Sequence, residues 1–148
     1  MKYEHENCES TRVRTVLGRA LIAARLLTAT DLDAETAVLS AIESWNSEVE
    51  DESALVWRAL GEALKCDADS AIRATNFTLL VPAELKSVLG LPPQPRRCFV
   101  LRILESFTSA QCAGLLSVPT ETVNYFTCEA LWRLRRTATP TCEPRRCW

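Results

Sequence analysis

The chain is poor in the residues from which catalytic and cofactor sites are built. Its 148 residues include only four glycines and a single histidine, His5. So few glycines leave no loop to cradle a phosphate, and neither a P-loop nor a dinucleotide fingerprint is present. One histidine near the N-terminus removes Ser/His/Asp and Cys/His nucleophile schemes, and its segment reads as a disordered tail. Carboxylates occur in solvated runs such as Glu50-Asp51-Glu52, not as a pair whose environments would split their pKa values. No stretch approaches the roughly 18 to 20 apolar residues of a bilayer span. The charged N-terminus (MKYEHENCES) lacks the apolar core of a secretory signal. These absences predict a cytoplasmic, non-enzymatic protein with no cofactor and no membrane partner.

Cysteine is the exception to this scarcity, with seven residues. The count is odd, and Cys66, Cys98, Cys112 and Cys128 fall inside apolar-periodic segments, so buried reduced thiols are expected rather than disulfides. Cys142 and Cys147, taken with Cys128, lack the two-residue knuckle of a zinc site. No histidine completes a set and Arg145 and Arg146 oppose a cation, so no metal is expected.

What the chain does hold is Ala, Leu, Glu and Arg, a composition that favours helix over strand. Apolar residues make up 47% and recur at helical spacing. The rhythm Val13, Val16, Leu17, Ala20, Leu21, Ala24, Leu27 marks a helix over about 11–28. Polar residues at 28–33 can cap a second helix over about 34–45. After an acidic connector at 46–53, Ser53 or Asp51 can cap a third over about 54–66. Residues 67–80 read as a poorer helix or ordered loop, and Pro82 opens a short helix that Gly90 stops. Leu91-Pro92-Pro93-Gln94-Pro95 is a boundary that no helix crosses from the left. A helix over 94–105 follows, carrying Cys98, Phe99, Leu101, Ile103 and Leu104. Thr108-Ser109-Ala110-Gln111 is a capping box opening a short helix at about 109–116, with Cys112, Leu115 and Leu116 inward. Ser117-Val118-Pro119 turns the chain into a final helix, 120 to about 136. The expected fold is all-α, a small helical bundle followed by a C-terminal helix-turn-helix. Its domains are an N-terminal part at 1–76, a linker helix and Pro-rich boundary at 77–93, the helix-turn-helix at 94–136, and a basic Cys-containing tail at 137–148.

Charge is divided unevenly along this layout. Residues 1–76 carry 14 acids against 8 Lys+Arg, whereas 77–148 carry 5 against 9, within a net charge of −2. A modestly basic C-terminal part suits a segment that meets an anion.

The stretch from Leu91 to Arg136 resembles the fourth conserved region, the promoter-reading module, of extracytoplasmic-function sigma factors. The matching residues are Leu91, Pro92, Arg97, Phe99, Leu101, Arg102, Leu104, Glu105, Phe107 and Thr108. They continue, without gaps, through Ala113, Leu115, Leu116, Val118, Pro119, Thr122, Val123, Ala130 and Leu134. The segment Ala24–Trp45 is similar, less closely, to the family's second conserved region. The resemblance implies a regulator of transcription initiation, with double-stranded promoter DNA and the RNA polymerase core as partners. Departures from the pattern are informative. Where the family presents Lys-Ser-Arg on its recognition helix, this chain has Asn124, Tyr125 and Phe126, which predicts weak DNA binding. Thr127 stands where the family buries a leucine, so Phe126 is expected to turn into the core. In the N-terminal part, Thr36, Leu39 and Ser40 replace polymerase-facing acids and amides, and 46–70 is acidic where the promoter-melting segment is basic and aromatic. The DNA-binding candidates are Arg102, Thr122, Asn124, Tyr125, Arg133 and Arg136. The alternative is a sigma-derived module that has lost promoter binding and holds another regulatory protein through Tyr125, Phe126 and Trp132.

Overall fold

Three long amphipathic segments near the N-terminus form α1 (Lys2–Thr28), α2 (Asp31–Ser44) and α3 (Glu52–Ala63), each packed on the other two. The computed structural model describes residues 2–46, 48–66 and 81–138, with side chains at 14–46, 48–66 and 81–137. The buried faces are rich in alanine: Ala20, Ala23 and Ala24 on α1, Ala34, Ala37 and Ala41 on α2, Ala59 and Ala63 on α3. Small residues at the contacts let helix axes approach at the close end of the usual range of about 8–10 Å. Leu26, Leu27, Leu55 and Leu60 fill the space between. Helix α1 begins well before the expected residue 11, so the segment carrying His5 is helical rather than a tail.

The joints of this unit are built from short polar side chains. Thr28 is fully buried, and its Oγ1 donates to the Ala24 carbonyl (2.9 Å). The same oxygen lies 3.0 Å from the Thr30 carbonyl and 3.4 Å from the Thr30 N–H. Ala29 takes the left-handed conformation (φ 60°) that ends α1, and Thr30 then caps α2 by accepting from the Asp33 N–H (3.2 Å). Arg25 and Asp31 close the corner as an ion pair at 2.8 Å. Of the two possible caps for α3 it is Asp51 that acts, accepting from the Ala54 N–H at 3.1 Å, so the helix starts at Glu52. The expected element at 67–80 and the cysteines of the tail lie outside the described residues.

The chain divides into two compact units between Val81 and Pro82. The second opens with a 3₁₀ helix, Ala83–Gly90, where sequence spacing predicts a short α-helix ending before Gly90. Helix α4 (Pro93–Phe99) starts with Pro93 at its first position, where a missing N–H is no loss. It widens into a single π-turn, Val100–Leu104, closed by Glu105 N–H to the Val100 carbonyl at 3.1 Å. Helices α5 (Ser109–Leu116) and α6 (Thr120–Ala138) complete the unit, and α6 packs chiefly on α4 and α5. Among the described residues there is no strand, so the fold is all-α.

The core of this unit is Val88, Leu89, Cys98, Phe99, Val100, Leu101, Cys112, Val123 and Ala130. Ile103, grouped with the inward residues of its helix in sequence, is 44% exposed, and Leu104, Leu115 and Leu116 are half-buried. Thr127 keeps the inward position, and its hydroxyl is satisfied by donating to the Val123 carbonyl at 2.7 Å. Phe126 therefore does not replace it and remains half-buried. Arg96, unremarked in the sequence, is among the most deeply buried side chains and donates from Nη1 to the Leu91 carbonyl (3.2 Å). It ties the start of α4 back across the prolines.

Candidate nucleic-acid interface

A helix-turn-helix requires that two helices be held at a fixed angle so that the second presents its N-terminal turns outward. Here the first is set by a complete capping box. The Gln111 N–H donates to Thr108 Oγ1 at 3.1 Å, and the Thr108 N–H donates to Gln111 Oε1 at 2.9 Å. Ser117 ends α5 in the left-handed conformation (φ 56°, ψ 44°), and Val118 N–H returns to the Ala113 carbonyl at 3.2 Å. The Thr122 and Val123 N–H groups then donate to the Pro119 carbonyl as α6 begins. A side-chain clasp joins the two helix starts: Ser109 Oγ donates to Asn124 Oδ1 at 2.7 Å. That bond uses one of the two lone pairs on Oδ1 and neither of the amide N–H donors.

The candidate residues fall on this scaffold in two groups. Arg102 sits on the π-turn, half-buried, with Nη1 donating to the Phe107 carbonyl at 2.7 Å. It braces the approach to the capping box from behind. The other five are on α6, where successive residues turn by about 100° and rise about 1.5 Å. By that arithmetic Tyr125 and Arg136 are nearly in line and about 16 Å apart. Thr122 and Arg133 flank them on one side, and Asn124 lies on the other, in line with Arg135. Arg135 is a further cation on this side of the helix. The signal that identifies it is the spacing of 11 residues from Asn124, which is close to three whole turns.

Electrostatically the helix is asymmetric. Its first turn holds Glu121 and no cation, while Arg135 and Arg136 fall in its last turn, with Arg133 just ahead of them. Arg133 is paired with Glu129, with Nη2 to Oε1 at 3.0 Å. The guanidinium of Arg136 lies over the Trp132 ring, 4.7 Å from its centroid. Tyr125 is 67% exposed and meets Phe126 edge-on, with centroids 5.4 Å apart. Leu131 (44%) and Trp132 (57%) are exposed as well. The outer face is thus aromatic and amide-bearing at its start and cationic at its end.

Two thiols lie behind this face. Burial raises the Cys98 and Cys112 pKa values from 9.0 to about 11, against a smaller opposing pull from Arg97 on Cys98 and from Arg102 on Cys112. Both are packing groups, protonated at neutral pH. Among the described residues no three metal-ligating side chains cluster, and no helix is long and apolar enough to cross a membrane.

Residues 85–134 match the family model described as sigma-70, region 4. The match covers the 3₁₀ helix from Leu85, all of α4 and α5, and α6 as far as Leu134. The matched segment, about a third of the chain, is similar to sigma-70 region 4, and its fold is a helix-turn-helix. No curated protein and no solved structure matches the chain.

Proposed function

We propose that the protein is a sigma-factor-like regulator of bacterial transcription initiation. Its α6 enters the major groove of promoter DNA, and its N-terminal helices hold the RNA polymerase core. The observation that carries this reading is the presentation of Asn124 and Tyr125. Both are exposed in the first two turns of α6, which the Ser109–Asn124 hydrogen bond joins to the capped start of α5. In helix-turn-helix proteins those turns meet the base edges, and an asparagine amide suits adenine. Thr122 flanks them, Arg133 and Arg136 supply phosphate contacts two to three turns on, and Arg102 positions the corner from the π-turn. For the polymerase, support comes from α2, whose outer face exposes Leu32, Leu39 and Ile42 beside Glu35 and Glu43.

A second reading, a protein-binding module derived from a sigma factor, is favoured by the exposed Tyr125 and Trp132 and by the absence of cations in the first turn. Fluorescence anisotropy with labelled promoter duplexes separates the two. Under the DNA reading, Asn124→Ala weakens binding to the preferred duplex by roughly five- to a hundredfold and relaxes the preference at one base pair. Arg136→Ala weakens all duplexes alike. If neither substitution changes affinity for any duplex, the second reading replaces the first.

A further inference from the structure

The outer face of α6 is self-complementary, and we infer that it pairs with a second copy of this chain as an antiparallel helix pair centred on Cys128. The exposed residues of the helix include Glu121, Asn124, Tyr125, Cys128, Leu131, Trp132 and Arg135, each three or four positions from another of the set. At about 100° per residue they form one stripe roughly 120° wide, bordered on one side by the exposed Arg133 and Arg136. Tyr125, Leu131 and Trp132 on it are large, apolar and exposed.

The stripe is complementary to its own reverse: acidic at its start, basic at its end, with bulky residues on both sides of its centre. Across a two-fold axis at Cys128 the central positions Glu121 and Arg135 meet, and on the two flanks Asn124 meets Leu131 and Tyr125 meets Trp132. In an antiparallel pair each of these contacts occurs twice, as an isologous interface requires. The acidic start of one helix meets the basic end of the other, and the helix dipoles oppose. A parallel pair would set Glu121 on Glu121 and Arg135 on Arg135. Cys128, an exposed free thiol, falls on the axis itself. Helix axes about 8–10 Å apart, with Cα atoms about 2.3 Å from each axis, leave up to roughly 5 Å between the two central Cα atoms. A disulfide spans about 4.4–6.8 Å, so the two thiols are within linking distance.

The seam is short, about 21 Å from Glu121 to Arg135. It therefore belongs to the small, transient class of interfaces, and the pair is weak and reversible. It buries the residues proposed to face DNA. Under that reading, the paired and DNA-bound forms are alternatives.

Sedimentation velocity of the full chain, without DNA, tests the pairing and leaves the DNA reading untouched. The expected result is a reversible monomer–dimer equilibrium. Glu121→Arg and Arg135→Glu each weaken it by at least about tenfold, through like charges brought face to face. The double charge swap restores it to within about threefold, because the pairing is re-formed in reverse. Oxidation with copper phenanthroline, followed by peptide mapping, yields a Cys128–Cys128 linked peptide from the wild type. A chain that stays monomeric to about 200 µM overturns the inference. So does a double swap no better than its single parents, or a dimer whose Cys128 peptides do not cross-link.

Discussion

Leu101 and Ile103 are two aliphatic residues of the same π-turn, and the structure assigns them very different energetic roles. Leu101 has 0% of its surface exposed, inside a core that also holds Cys98, Val100, Cys112 and Val123. Truncation to alanine removes three carbons from a site walled on all sides, so the cost includes the lost transfer energy and the cavity left behind, about 2–5 kcal/mol. Ile103 is 44% exposed. Its truncation forfeits roughly half of the about 1.5–3 kcal/mol that full burial of an aliphatic side chain gives, and water refills the space, so about 1 kcal/mol is expected. For a unit of this size each kcal/mol moves the melting midpoint by about 4–8 °C. Leu101→Ala should therefore lower the midpoint of the second unit by at least about 8 °C, and Ile103→Ala by about half that or less. Differential scanning calorimetry on the full chain resolves the two values. Equal shifts, or a larger one for Ile103→Ala, would refute the packing described for α4 and its π-turn.

The other predictions concern capping and the buried thiols. Thr108→Ala removes the hydroxyl arm of the capping box at α5 and leaves the backbone N–H arm to Gln111; it should cost about 1 kcal/mol in urea denaturation, whereas Thr108→Ser should be nearly silent. Cys98 and Cys112 have pKa values of about 11 in the folded chain against an ordinary 9.0. Their folded values are raised, so their contribution to stability is fully present below pH 9 and declines as pH rises from about 9 through about 11. A Cys98→Ala, Cys112→Ala double variant should show a flatter loss of stability across that window, and an unchanged slope would contradict it. In the native protein at pH 8 the same two thiols should resist a disulfide reagent that labels exposed Cys128 at once.

The parts of this architecture that are legible in the sequence are those governed by local chemistry. The capping box fixes α5 at Ser109–Leu116 to the residue, because both of its hydrogen bonds are made within four residues. Helices α2 and α3 begin three and two residues earlier than their apolar rhythm suggests. Polar caps at Thr30 and Asp51, not the first apolar residue, set the start. What depends on tertiary context is hidden. The π-turn at Val100–Leu104 has no composition cue, and the burial of Arg96 follows from where α4 docks, not from its neighbours. In the candidate interface, the identity of Asn124 and Tyr125 as outward residues is legible from the turn that precedes them. The Ser109 clasp on Asn124, the ion pair on Arg133 and the stacking of Arg136 on Trp132 are not. They come from side chains choosing partners once the helices are placed.

The central claim is that α6 docks in a DNA groove with only a sparse set of cations. Affinity for duplex DNA, measured by anisotropy from about 50 to 200 mM salt, tests it most directly. Each neutralised phosphate contributes about −0.9 to the slope of log affinity against log salt. With Arg133 and Arg136 as the phosphate-facing cations, the slope should lie between about −1 and −2. A slope indistinguishable from zero, or no binding at 50 mM salt, would contradict groove docking.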